Sequence, residues 1–296
     1  MTAKAPVGFK RPFRMVAGIS RLEDLANYSE MIQAEMLGAK TVYYVESNAG
    51  SDSADGLSWD SAYKTLAVAL AASHADIAVN SRGWASRNVI LYKGDGNTEL
   101  LTKLADKTTV IGVGSTDGLS SARIKGIQVI AGTWAGTRFI NMGFEGADDT
   151  VVLFTLPTAC SGIEFYGCEF FPGDNTTTTL LLATSVTGLK VIGCEFKGWW
   201  DSGMTTAAIS LPAGTAHGQI MQGCRIDNQA GPGILIASGA GGLGCFITDN
   251  VIYSSTLTID DDSDNFYVCK NMLFSDAGTV ATAVDVLVKK ALGNYL

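Results

Sequence analysis

Histidine is almost absent from this chain, since His74 and His217 are the only two among 296 residues. Charged residues are also few, at 17%, against 47% hydrophobic residues, and no Cys-x-x-Cys pair occurs. No apolar run approaches the roughly 20 residues of a membrane span, and the N-terminus lacks the apolar stretch and cleavage site of a secretory signal. These absences argue against a metal site, a cofactor, a membrane partner and secretion. What remains is a chain long enough for one large packed core, synthesised in the cytoplasm.

Six short segments in the second half of the chain align with one another. The clearest copies read GIEFYGCEF at 162–170, GLKVIGCEF at 188–196 and GQIMQGCRI at 218–226. Their shared anchor positions are 26, 26, 30, 26 and 21 residues apart and are occupied by Met142, Cys168, Cys194, Cys224, Asn250 and Asn271. A period of roughly 20 to 50 residues with apolar alternation predicts a solenoid, whose units bury their apolar faces only by stacking.

Alternation inside each copy indicates the kind of solenoid. Leu189 and Val191 alternate with Lys190, Gly193 permits a bend, and Cys194 resumes the apolar series. A period of two indicates strands rather than helices. The sequence therefore predicts an all-β fold, a right-handed parallel β-helix wound from a single chain, with short strands and glycine-rich corners.

The anchor position should point inward on every turn, so that its side chains stack in one column. Successive turns lie about 4.8 Å apart, but parallel side chains in register rarely reach the torsion near 90° that a disulfide needs. We expect the cysteines to be free, buried and small hydrophobes. We expect the two asparagines to continue the column by hydrogen-bonding the backbone at the corners.

Basic residues are segregated at the N-terminus. Residues 1–21 carry five positive charges and no acidic residue. Because the net charge of the whole chain is −8, the remaining residues carry a net charge of −13. Three interpretations are open for this extended arm: docking of Lys10, Arg11 and Arg14 on an acidic protein surface, contact with nucleic acid, or a disordered leader. Five charges give only modest phosphate affinity, which argues against nucleic acid as the partner.

The remaining chain divides into a helix or linker at 22–41, a β-helix at 42–279 and a short helix at 280–296. A β-helix exposes unpaired backbone groups and apolar core at both ends, where another chain would stack unless something covers them. We expect a capping helix near 61–73, with Leu66, Ala69 and Leu70 on one face, at the first end. The amphipathic segment 280–292, followed by Gly293, is expected to cap the other end.

The segment after Thr41 carries a family resemblance. Tyr43-Tyr44-Val45 is followed by Gly50-Ser51-Asp52, by Asp55-Gly56 and Trp59, and then by Ala62-Tyr63, Thr65-Leu66 and the alanine-rich 67–72. Over about residues 42–113 this pattern resembles the entry of right-handed β-helix proteins of the pectate-lyase-like superfamily, of the kind found in tailed-bacteriophage virions. The resemblance implies a homotrimer of solenoids packed side by side and bound to other virion proteins, such as major capsid or tail proteins.

The same resemblance raises the possibility of catalysis, because carbohydrate-active members place carboxylates on one outward sheet. Candidate outward acids are Glu164, Glu169, Glu195, Asp201 and Asp227, and the catalytic set would be Glu169, Glu195 and Asp227. Glu169 and Glu195 occupy the same place on adjacent turns, so they should lie roughly 5 Å apart, as in a retaining glycosidase. The competing interpretation is a pair of solvated residues on an exposed strand, with Arg225 as a charge partner.

Two further segments have open interpretations. Trp199 and Trp200 follow a corner, where they stack on sugar rings, enter a subunit interface or fold back over the solenoid. The run Asp260–Asp264 offers oxygen ligands for calcium but lacks the glycine and distal glutamate of a helix–loop–helix site, which favours a solvated turn.

Two functions from different classes follow. The first is a non-enzymatic structural virion protein, a capsid decoration, cement or spike, anchored by its N-terminal arm. The second is a carbohydrate-active enzyme of the tailspike-depolymerase type, a lyase or glycoside hydrolase acting on surface glycans. The few titratable candidates, the basic arm and the short loops between turns favour the first.

Overall fold

A computed structural model gives the architecture of residues 38–79, 87–114, 122–147, 151–157, 159–172, 178–198, 204–214, 216–228, 230–254, 258–263 and 265–275. Nearly all regular structure in these ranges is β-strand, and all the strand pairing is parallel. Helix α1 spans Leu66–Val79. Within these ranges no helix has the length and hydropathy of a membrane span.

The strands, numbered in chain order, form three sheets. Sheet A has nine strands: β1 (Ala39–Glu46), β2 (Arg87–Lys93), β4 (Thr108–Gly112), β7 (Arg138–Ile140), β10 (Glu164–Tyr166), β13 (Lys190–Ile192), β16 (Ile220–Gln222), β19 (Cys245–Thr248) and β22 (Phe266–Cys269). Sheet B has eight: β3 (Asp95–Thr98), β5 (Arg123–Lys125), β8 (Gly143–Glu145), β11 (Glu169–Phe171), β14 (Glu195–Lys197), β17 (Arg225–Asn228), β20 (Val251–Ser254) and β23 (Met272–Ser275). Sheet C has six: β6 (Gln128–Val129), β9 (Val152–Leu156), β12 (Thr179–Ala183), β15 (Ala207–Leu211), β18 (Ile234–Ile236) and β21 (Ile259–Asp261).

The chain visits the three sheets in rotation. From β4 onward the order is one strand of sheet A, one of sheet B and one of sheet C. Apart from β6, which begins sheet C, each of these strands pairs with its counterpart from the preceding turn. We call one such turn a coil. Three parallel sheets filled in this order are the topology expected of a parallel β-solenoid, because every unit buries its apolar face by stacking on its neighbours.

The core is built from side chains that repeat at one position per coil. On sheet B the inward row places Phe144, Phe170 and Phe196 in register. The rings of Phe170 and Phe196 are stacked at 4.6 Å, and those of Phe144 and Phe170 at 5.2 Å. All three are fully buried in one continuous cluster with the inward rows of sheets A and C. Parallel stacking in register thus turns a sequence repeat into a column of aromatic contacts.

From β7 onward, a two-residue corner joins each strand of sheet A to the next strand of sheet B. Its first residue has a left-handed backbone in six successive coils, with φ between 55° and 64° at Asn141, Gly167, Gly193, Gly223, Asp249 and Lys270. Glycine adopts this conformation freely and asparagine or aspartate tolerates it, whereas a lysine there is unusual. The bend turns the second corner residue toward the interior.

That second residue forms an inner column, which we define as Met142, Cys168, Cys194, Cys224, Asn250 and Asn271. All six are buried, and the cysteines are free. The thiols of Cys168, Cys194 and Cys224 lie 3.3–3.5 Å from backbone carbonyls of sheet A one coil earlier. The amides of Asn250 and Asn271 donate to equivalent carbonyls at 3.1 and 3.0 Å. Every polar group of the column is therefore satisfied by the preceding coil.

Helix α1 lies against the first strands of sheet A. The expected helix was 61–73, whereas the observed one begins at Leu66 because the carboxylate of Asp52 accepts hydrogen bonds from the backbone N–H groups of Lys64 and Thr65. Leu66, Ala69 and Leu70 are buried in the main core, as their shared face predicted. Glu99 accepts a hydrogen bond from Ala67 N at 2.5 Å, so a carboxylate lies at the helix N-terminus.

Several predicted features lie outside the described residues. These are the basic arm with Lys10, Arg11 and Arg14, most of the helix or linker at 22–41, the Trp199-Trp200-Asp201 corner, and the C-terminal segment 280–296.

Candidate functional site

The outer side of sheet B carries two rows of side chains in register across the coils. The first row consists of Arg123, Gly143, Glu169, Glu195, Arg225, Val251 and Met272. The second consists of Lys125, Glu145, Phe171, Lys197, Asp227, Tyr253 and Phe274. The three candidate catalytic acids lie in these rows, so a catalytic site formed by them would lie on the outer side of sheet B.

Glu169 and Glu195 are direct register neighbours on β11 and β14. The ammonium group of Lys197 lies between them, 3.4 Å from Glu169 Oε2 and 3.5 Å from Glu195 Oε2. The same group lies 4.7 Å from the centre of the Phe171 ring. Lys197 thus compensates two carboxylates that would otherwise repel each other, and it makes a cation–π contact as well.

The burial of this cluster differs from the expectation. Two solvated residues on an exposed strand were expected, but that is wrong for Glu169, which is only 8% exposed. Lys197 is also buried, and Glu195 is partly exposed. The prediction that Arg225 partners Glu195 is confirmed, since Nη1 lies 3.5 Å from Oε1. Asp227 lies in register beside Lys197 on the next strand.

The ion pairs continue toward the N-terminal coils. Arg123 Nη1 lies 2.7 Å from Glu145 Oε2, and its Nη2 lies 3.2 Å from Asp95 Oδ1. Lys125 contacts the other oxygen of Glu145 at 3.4 Å. Ion pairs between oppositely charged side chains on adjacent strands therefore link the coils along the outer face of sheet B.

A second ionic cluster lies on the outer side of sheet A. Glu164 accepts hydrogen bonds from Arg138 Nε at 2.6 Å, Lys190 Nζ at 2.8 Å and Tyr166 Oη at 3.1 Å. Burial by itself raises the pKa of Glu164, but the hydrogen bond from Lys190 and the charges of both cations outweigh it and hold the pKa below its ordinary value. Glu164 is thus an anion flanked by a cation on each neighbouring strand, not a free outward acid.

The chemistry of these clusters suits structure better than acid–base catalysis. A retaining glycosidase needs one carboxyl group that holds a proton and one free nucleophilic carboxylate, about 5 Å apart. Here the two carboxylates share one ammonium group, at 3.4 and 3.5 Å, so each is engaged in an ion pair. The two side chains are register neighbours, but Lys197 lies between their carboxylates.

The remaining candidate groups have local structural contacts. His74 packs edge-on against Trp134 at 5.1 Å, and His217 Nδ1 accepts a hydrogen bond from Leu243 N at 3.0 Å. Asp261 accepts hydrogen bonds from the backbone and hydroxyl of Ser263, which closes a turn. Burial, and then the charges of Asp262 and Asp261, raise the pKa of Asp260. In the described part of the chain, no three side chains of the metal-binding types are grouped to hold an ion.

Sequence reasoning missed Lys197, Glu145, Arg123 and the cluster around Glu164. The signal was present in the repeat alignment. Four positions before the anchor the coils carry Arg138, Glu164, Lys190, Ile220, Phe246 and Tyr267, and three positions after it they carry Glu145, Phe171, Lys197, Asp227, Tyr253 and Phe274. Each offset is one outer row, so an Arg-Glu-Lys series down one offset predicts an ion-pair ladder.

No family model matches the chain, and comparison with curated proteins and with solved structures finds no similar protein.

Proposed function

We propose that this chain is a non-catalytic structural protein of a tailed-bacteriophage virion, acting as a capsid decoration, cement or spike. In this proposal the solenoid is right-handed, its first end is capped by α1, and three copies pack side by side. The basic arm with Lys10, Arg11 and Arg14 anchors the trimer to other virion proteins. The virion location, the handedness and the trimer come from the resemblance to pectate-lyase-like β-helix proteins at residues 42–113.

The observation that carries the non-catalytic part is the position of Lys197 between Glu169 and Glu195. A carboxylate pair held by a shared cation, inside a ladder of further ion pairs, stabilises the stacking of parallel strands. Both carboxylates are engaged by the same cation instead of facing an open space between them. The outer charges of sheet B are thereby assigned to holding the solenoid rigid.

A rigid, elongated body is a suitable building block for an assembly. Its core runs without interruption through all three sheets, and its outer charges link neighbouring coils. Helix α1 supports the capping part of the proposal, because its buried face packs on the core beside β1 and β2. A covered end prevents uncontrolled stacking of one solenoid on another.

One observation favours a carbohydrate-active enzyme as the second candidate. Glu169 and Glu195 are in register on adjacent strands, which is the separation a retaining pair requires. In that alternative, substrate binding would have to displace Lys197 from one carboxylate.

The deciding experiment measures mass and catalysis on the full chain. Sedimentation equilibrium is expected to give three times the 31.1 kDa protomer mass, and capsular and pectic polysaccharides are expected to remain uncut. A monomer at all concentrations would overturn the assembly proposal. Cleavage that is lost in Glu169→Gln or Glu195→Gln, but kept in the control Asp60→Asn, would establish the enzyme instead.

A further inference from the structure

The outer rows change character in the last two described coils. Where earlier coils carry charged residues, these coils carry large apolar side chains: Phe246, Tyr253, Tyr267, Met272 and Phe274. Their exposed fractions are 40%, 40%, 46%, 51% and 39%. We call these five side chains the aromatic face. Phe246 and Tyr267 lie on sheet A and the other three on sheet B, on either side of the corner that joins the two sheets. A group of exposed apolar side chains marks an interaction site more often than a solvated surface.

We propose that the aromatic face is the surface through which two copies of this chain contact each other. The inference rests on the proposed assembly function and adds the location of the contact. It follows from three observations: how the rest of the outer surface is covered, how the rings are oriented, and how much apolar area they present.

The other end of sheet A shows what happens to outer apolar side chains when they are covered. Val89, Ile111 and Ile140 lie on the outer side of β2, β4 and β7, apart from the main core, and they are fully or almost fully buried. Phe246 and Tyr267 occupy the row of Val89 on the same sheet but remain exposed within the protomer. The side chains of the aromatic face are therefore exposed, although outer apolar side chains at the other end of sheet A are buried.

The orientation of the rings separates a protein partner from a sugar. Phe246 and Tyr267 are stacked with centroids 5.3 Å apart and an interplanar angle of 24°. Tyr253 and Phe274 are stacked at 4.7 Å and 12°. Within each pair, each ring therefore covers one face of the other, which leaves fewer ring faces for a sugar to stack on. Sugars stack on ring faces, whereas ring edges and a thioether pack between the side chains of another protein.

The exposed apolar area of the aromatic face is large enough to form the centre of an interface with a second copy of the chain. Aromatic side chains present roughly 150–250 Å² each, so five large side chains that are about 40–50% exposed present on the order of 400 Å² in total. A standard interface buries about 800 Å² per partner, with an apolar centre and a polar rim. Aromatic residues and methionine are enriched at such centres. The aromatic face supplies the apolar half, and the polar corner residues Asp249 and Lys270 lie between its two ring pairs along the chain.

The test is the association constant of the full chain, measured by sedimentation equilibrium. Tyr253→Glu combined with Phe274→Glu is expected to weaken self-association by about 100-fold or more. Val129→Glu is the matched control, because Val129 is 45% exposed on sheet C, outside the aromatic face, and its substitution should leave association unchanged. The milder pair Tyr253→Thr with Phe274→Thr, checked for native melting, guards against a variant that fails to fold.

Two other results separate the possible failures. An oligomer that keeps its mass and affinity in both double variants would overturn the aromatic face as the contact while leaving the assembly proposal intact. A wild-type chain that stays monomeric would overturn both, and the aromatic face would then be assigned to another partner or to residues 276–296, which follow Phe274 closely in the chain.

Discussion

The inner column and the outer rows lie within four residues of each other in every coil, yet their polar groups are satisfied by different partners. In the inner column, a thiol or an amide reaches a backbone carbonyl of the preceding coil. In the outer rows, a charged side chain reaches another side chain on a neighbouring strand. Backbone partners are present whatever residue the neighbouring coil carries, whereas side-chain partners are not.

This difference explains why the inner column tolerates a change of residue type along its length. Cysteine gives way to asparagine between Cys224 and Asn250 without a break in the column. The outer rows change in blocks instead, from paired charges to stacked aromatic rings. Substitutions of the cysteines in the inner column should therefore act singly, whereas Asn250 and Asn271 are coupled by a side-chain hydrogen bond of 2.9 Å. Substitutions in the outer rows should act in pairs.

The largest effect is expected where the inner column uses an amide. Asn250 accepts a hydrogen bond from Cys224 N at 2.8 Å and donates to Met221 O at 3.1 Å, both in buried surroundings. Asn250→Leu leaves the buried Cys224 N–H without a partner, at about 1–3 kcal/mol, and takes one hydrogen bond each from Met221 O and Asn271 Oδ1, which keep other partners. Urea denaturation should therefore show a loss of about 3 kcal/mol in the free energy of unfolding. Cys194→Ala, which removes only a small apolar group and a weak donor, should lose less than half as much. Equal losses would contradict the distinction between amide and thiol.

A smaller and coupled effect is expected in the outer rows. Lys197→Met leaves Glu169 and Glu195 as unshielded neighbours, and the loss of a buried partner should reduce the free energy of unfolding by about 2 kcal/mol, below the full range because Glu195 is partly exposed. Adding Glu169→Gln to Lys197→Met should restore at least half of that loss, because the repulsion is gone. Lys93→Met, which removes the solvent-exposed cation of an ion pair with Glu46, is the control and should change stability by less than about 1 kcal/mol. Additive losses in the double variant would show that the outer row is not coupled.

Sequence periodicity was sufficient for features that repeat with the coil. It predicted short strands in register, the anchor positions that now form the buried inner column, and the adjacency of Glu169 to Glu195 with Arg225 as partner. These features follow from stacking alone, since equal positions in successive coils must become neighbours.

The burial of outer side chains and the start of α1 could not be predicted from the repeat. Alternation assigned Glu169 to the outer side of its strand but did not indicate its burial, because the exposure of an outer side chain depends on neighbouring coils and long cationic side chains. The start of α1 was missed for a similar reason. It depends on the Asp52 carboxylate, which is 12 and 13 residues away from the N–H groups it accepts from.

The smallest effect should appear as a pH dependence at Glu164. Its pKa is lower in the folded protein than in the unfolded chain, where it is about 4.3, so its contribution to stability is fully present above that value and is lost as the pH falls through the folded pKa. Glu164→Gln, a near-isostere of the protonated acid, should be less stable than the wild type by about 1 kcal/mol at pH 7. The difference should begin to shrink as the pH falls below the unfolded value of about 4.3 and should vanish below the folded pKa of Glu164. Lys190→Met leaves Arg138 as the cation paired with Glu164, so the folded pKa of Glu164 is less depressed. The loss of stability with falling pH should then be smaller and should be complete at a higher pH than in the wild type. A constant difference between wild type and Glu164→Gln from pH 3 to pH 7 would mean that the Arg138–Glu164–Lys190 ladder stabilises the outer face through packing instead of charge.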